Sequence, residues 1–122
     1  MNKAERAYFK ENISKALENL LSLTDKTSDL PEKDKENIEI IIDRLEGFID
    51  KAAYERMIIH CIDMSNLLID IYNKTPDISI SAKNLIRLFE AIYSLGCAEN
   101  ALWAYFITQQ QDLVKTPGEA IE

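Results

Sequence analysis

His60 is the only histidine in the chain, and Asp63 follows it three positions later. On a helix that spacing sets the two side chains one turn apart, as in half a metal site or a base oriented by a carboxylate. Neither arrangement is completed. There is no second histidine to add a ligand, and the remaining carboxylates are scattered. On a helical wheel His60 falls at the edge of an apolar arc, which favours a boundary histidine with its tip in water or on Asp63. Cys61 and Cys97 both lie on or beside apolar positions and are expected as reduced thiols in a reducing compartment. A nucleophilic cysteine needs a base and an electropositive setting. Adjacent His60 and Cys61 diverge by ~100° on a helix, so they cannot pair. The three glycines, Gly47, Gly96 and Gly118, cannot build a phosphate-cradling loop. The residues point away from catalysis, and neither metal nor cofactor is expected.

The carboxylates are organised differently. The chain of 122 residues holds 21 acidic against 14 basic side chains, a net charge of −7. Residues 31–51 alone contain seven acids and four bases. Within them Glu32, Glu36, Glu39, Asp43, Glu46 and Asp50 follow one another at steps of four, three, four, three and four. On a helix they occupy roughly 80° of the circumference and a stripe ~27 Å long. Like charges at i,i+4 cost a few tenths of a kcal/mol per pair, so the stripe should face something. Solvent with counterions is one answer. A second is Lys3, Arg6 and Lys10 from a preceding antiparallel helix, set near Asp43, Glu46 and Asp50. A third is a basic partner. No segment is basic, and no basic recognition helix is present, so direct nucleic-acid binding is not expected.

These residues require helices to position them. Pro31, Pro76 and Pro117 each sit in a polar, turn-like context, and the stretches between them are almost free of helix breakers. The pattern predicts an all-α fold, a compact bundle of four to five helices with up-and-down connections. One domain over 1–116 is expected, followed by a disordered tail over 117–122. The first helix covers 3–24, with Phe9, Ile13, Ala16, Leu17, Leu20 and Leu23 as its apolar stripe. Asp29 reads as the start of the second helix, with Pro31 in its first turn and Glu32 at the capping-box position. That helix, 30–50, buries Ile38, Ile41, Ile42, Leu45, Phe48 and Ile49. A kink or break near Asp50, or a single bent helix, leads to a helix over 51–73. Its apolar arc of roughly 220° suits the central helix of a bundle or one with a flank left for a partner. A helix capped by Ser79 or Ser81 then carries Leu85, Leu88, Phe89, Ile92 and Leu95. Gly96 suits its C-terminus, with a last helix from Cys97 to Val114; alternatively it is a close-packing point, since Ala91, Ala98, Ala101 and Ala104 are also small.

The final segment supplies the aromatic residues Trp103, Tyr105 and Phe106, with Phe89 and Tyr93 upstream. Trp103 and Phe106, with Leu102 and Ile107, fall on one face; Tyr105 lies on a second face with Ala98 and Ala101. Core packing accounts for most of these residues, yet Trp and Tyr are also enriched at interface hot spots. No apolar run approaches the ~18 residues of a membrane span. The charged opening, Met1 to Arg6, and the free thiols lead to an expected cytoplasmic location, and the Ile, Lys and Asn content suits a bacterial or phage genome. The function expected is binding of another protein, as a regulator, inhibitor, immunity protein or secretion chaperone. Trp103, Tyr105 and Phe106 would supply anchors and the acidic stripe would steer. Self-association through the last helix is a further expectation. The alternative is an acidic nucleic-acid mimic that blocks a DNA- or RNA-binding protein.

Overall fold

A computed structural model describes residues 1–49, 54–74 and 80–121, with side chains described over 1–47, 56–74 and 80–110. Four helices account for almost all of it: α1 (Lys3–Thr24), α2 (Glu32–Ile49), α3 (Tyr54–Lys74) and α4 (Ala82–Ile121). No strand occurs among the described residues. The helices pack on one another as a bundle. Each meets its chain neighbour, α2 and α3 only lightly, and α4 closes the ring with its most extensive contact, onto α1. The join between α2 and α3, where the sequence places a kink or break near Asp50, lies outside the described residues.

α1 begins where its local chemistry dictates. The Asn2 side chain accepts the Glu5 backbone N–H at 2.8 Å, and the Glu5 carboxylate accepts the Asn2 N–H at 3.5 Å. This reciprocal box satisfies two amides that would otherwise lack partners. Phe9, Ile13, Ala16, Leu20 and Leu23 are buried as their spacing requires, with Leu17 half-buried beside them. α2 buries Ile38, Ile41, Ile42 and Leu45 on one face. α3 buries Met57, Ile58, Cys61, Met64, Leu68 and Ile71, a narrower arc than its apolar residues span, so that Ile59, Leu67, Ile69 and Tyr72 stay exposed.

Asp29 does not cap α2. The last residue before that helix is Pro31, whose carbonyl accepts the Lys35 N–H at 3.0 Å. The Asp29 carboxylate instead crosses to the start of α4, where it accepts the Ser81 backbone N–H and the Asn84 side-chain amide, the latter at 2.7 Å. Ser81 in turn caps α4 through the Asn84 N–H at 3.3 Å. These bonds hold the Asp29 carboxyl below its ordinary range, the Asn84 amide contributing most. One loop acid thus fastens the end of the first hairpin to the beginning of the last helix.

The largest departure from the sequence reading concerns Gly96. α4 passes through it without a break, at ~1.5 Å per residue a rod of about 60 Å against ~33 Å for α1. No glycine among the described residues adopts positive φ, so the left-handed cap that favours glycine is absent. The expected helix end at Val114 is passed in the same way, the backbone staying helical to Ile121. Continuity across Gly96 fixes a single register. The buried residues of α4 are Leu88, Ala91, Leu95, Ala98 and Leu102, in steps of three and four. Phe89, read from the sequence as core, points outward and is 57% exposed; Leu85 and Ile92 are half-buried.

Candidate functional site

The acidic stripe forms on α2 as its spacing requires. Glu32, Glu36, Glu39, Asp43 and Glu46 are all exposed, whereas Asp50 lies outside the described residues. Among the described residues the stripe has one ionic contact, Glu32 with Lys35 at 3.7 Å, within the helix itself. The other ion pair, Lys15 with Glu11 at 3.2 Å, belongs to α1. Lys3, Arg6 and Lys10 make no ion pair with Asp43 or Glu46 among the described residues. The intramolecular answer to the stripe is therefore not realised there, and these acids face solvent.

α4 presents a different surface. Directly away from its core seam lie Ile86, Phe89, Tyr93, Gly96, Asn100, Trp103 and Ile107, again in steps of three and four. On a wheel they fall within roughly 100° of arc. The five large side chains are 56%, 57%, 66%, 39% and 51% exposed, in the order Ile86, Phe89, Tyr93, Trp103, Ile107. No charged residue enters this arc over 22 residues. Lys83, Arg87 and Glu90 flank it on one side and Glu99 on the other. An outward face of a helix in water ordinarily carries charge; this stripe carries none.

The aromatic triad is divided between inside and outside. Phe106 is half-buried and packs on the core, while Trp103 lies on the outer stripe. Their rings meet edge to face, with centroids 6.3 Å apart and planes at 84°. The Trp103 indole N–H donates to Glu99 Oε2 at 3.2 Å, which holds the ring against its own helix. Tyr105 is half-buried, and its hydroxyl accepts from Gln109 Nε2 at 2.8 Å. Sequence reasoning missed Ile86 and set Phe89 on the core stripe, though it grouped Phe89 and Tyr93 with the aromatic cluster. The signal was present: two interleaved stripes run along α4, and the true core seam is lined by Ala91 and Ala98, too small to stand out beside Phe89 and Ile92.

α1 runs antiparallel alongside α4. The Cys97 thiol beside Tyr8 holds the Tyr8 phenol above its ordinary range, while Lys15, Glu18 and Asn19 share a groove with Glu90 and Tyr93. The groove, about 410 Å³ and open to solvent, is lined by amides and charges of both signs. Cys61 and Cys97 are both free thiols. Burial pushes Cys61 up to about 12, with the Glu99 carboxylate adding to the effect, which makes it an inert core group. His60 is half-buried on α3 and Asp63 is exposed. Among the described residues no three His, Cys, Asp or Glu side chains converge as a metal site, and no helix is long and apolar enough to cross a membrane. Comparison with protein-family models, curated proteins and solved structures finds no match to this chain.

Proposed function

We propose that this chain is an up-and-down helical bundle that works in the cytoplasm as a non-catalytic protein-binding module. The observation that carries this reading is the outer face of α4, where five large apolar side chains stand exposed along 22 residues without an intervening charge. Such a face gains free energy by leaving water, about 25 cal/mol per Å² of apolar surface covered. Phe89, Tyr93 and Trp103 are the anchors, with Tyr105 and Phe106 supporting the helix behind them. The stripe Glu32, Glu36, Glu39, Asp43 and Glu46, continued in sequence by Asp50, steers a partner with a basic surface and sets the rate of encounter more than the final affinity. The two free thiols suit a reducing compartment. Regulator, inhibitor, immunity protein and secretion chaperone are the roles this chemistry serves.

The five exposed acids also support a second reading, an acidic mimic occupying a nucleic-acid-binding site. Co-purification from the native host, followed by binding measurements on the captured partner, separates the two. Docking through α4 requires that Phe89→Glu and Trp103→Ala abolish binding, while Glu36→Lys with Asp43→Lys and Glu46→Lys slows association and leaves a complex. Mimicry requires the reverse, with binding that collapses as salt rises. Binding untouched by both sets of substitutions overturns both readings.

A further inference from the structure

We propose that the outer face of α4 is occupied by the same face of a second copy of this chain, the two helices crossing antiparallel at Gly96. The inference rests on reading that face as a docking surface and names its occupant. Four observations converge on a second copy. The stripe is self-complementary about its midpoint. With Gly96 opposite Gly96 of the second copy, Ile86 meets Ile107, Phe89 meets Trp103, and Tyr93 meets Asn100. Bulk thus lies toward both ends, the phenol finds an amide for a hydrogen bond, and the crossing point is bare.

The second observation is Gly96 itself. A glycine in a helix interior is unfavourable by about 1 kcal/mol relative to alanine. Within one chain nothing accounts for it, because a Cβ there would meet no atom within 4 Å and its φ is not positive. Close approach of a second helix backbone is a use for a missing side chain that the single chain lacks. Third, the area suffices. With about 200 Å² for a fully open large side chain, the exposures leave roughly 500 Å² on the five residues of one copy. Full cover of both stripes removes on the order of 1,000 Å², the threshold for a specific interface. Fourth, the charges permit it. Each copy carries −7, but the exposed acidic stripe lies on α2, which makes no extensive contact with α4, so pairing α4 on α4 keeps the stripes off the interface. The antiparallel sense also opposes the two helix dipoles.

The test is sedimentation equilibrium of the intact chain from about 1 to 200 µM, with circular dichroism as the check on folding. The proposal expects a monomer–dimer equilibrium that Phe89→Asp weakens at least a hundredfold. Gly96→Leu is the sharper variant. It places its side chain into open space in the monomer, so helicity and melting at low concentration are retained, while association is lost. Orientation is read in a Cys61→Ser, Cys97→Ser background. Under mild oxidation Ile86→Cys mixed with Ile107→Cys gives mainly the mixed disulfide in the antiparallel pair, and mainly like pairs in a parallel one. A monomer throughout the range, a dimer indifferent to Phe89→Asp and Gly96→Leu, or like pairs dominating each overturns the proposal. A monomer that still captures another protein through α4 leaves the docking reading standing and removes only the second copy.

Discussion

Replacing Gly96 by alanine opposes two accounts of α4 with effects of opposite sign. If Gly96 ended a helix in the left-handed conformation, alanine there would destabilise the fold by about 1–2 kcal/mol. In the continuous helix observed, φ is negative and the added methyl meets nothing within 4 Å. The helix-propensity difference then acts alone and stabilises the chain by about 1 kcal/mol. For a urea dependence of about 2 kcal/mol per molar, the unfolding midpoint rises by roughly 0.5 M. Trp103 is the sole tryptophan, so its fluorescence reports the transition. Gly47→Ala is the internal comparison, since Gly47 is also helical and also faces open space; it lies in the last turn of α2, and its gain is smaller. Running both at 1 µM and at 100 µM separates folding from association, because only Gly96 lies on the α4 stripe. A lower midpoint for Gly96→Ala at 1 µM would refute the continuous helix.

Other expected outcomes follow from the core and the charges. Leu95→Ala, at a fully buried position, lowers unfolding free energy by about 3–5 kcal/mol, whereas Phe89→Ala at low concentration changes it by less than about 1 kcal/mol; equal losses in denaturant titration would mean the seam is misassigned. Cys61 keeps its proton in the folded state up to about 12 but loses it near its ordinary value when unfolded. Stability is therefore retained below pH 9 and declines between pH 9 and 12 at up to about 1.4 kcal/mol per unit, a slope that Cys61→Ala removes in alkaline urea titrations. Asp29 works in the other direction. Its lowered carboxyl stabilises above the ordinary carboxylate range and loses that contribution as pH falls, so acid melting curves of Asp29→Ala are flatter than wild type. Glu39→Lys, placed between Glu36 and Asp43 on an exposed face, raises stability by a few tenths of a kcal/mol at low salt, and the gain vanishes near 1 M salt.

Much of α1 and α2 was legible because their apolar residues are large, singly striped and bounded by polar connectors. The helix over 3–24 and its core residues follow from spacing alone, and the exposed acids of α2 follow from the same periodicity with the sign of polarity reversed. α3 was legible in type but not in face. An apolar arc of ~220° suits a helix covered on several sides, but α3 packs mainly on α4 and only lightly on α2, and nothing local distinguishes Ile58, which is buried, from Ile59, which is exposed. α4 was misread for a related reason. Its outward stripe is bulkier than its inward one, so side-chain volume pointed to Phe89, while the bundle seats Ala91 and Ala98 where α4 lies close to its neighbours. Asp29 shows the limit of local signals most plainly. Its capping chemistry was recognised, but the amides it satisfies lie 52 and 55 positions along the chain.

The amino-acid sequence by itself determined the helical class, the extent of α1 and the acidic face of α2, because each depends on residue type and on spacing within a few turns. The tertiary structure alone decided which of two apolar stripes on α4 is core, that Gly96 lies within a helix, and that Asp29 anchors α4. Each of those depends on what stands opposite a residue in space. Burial is a property of the pair of surfaces in contact, and a helix with two apolar faces leaves that choice to its neighbours.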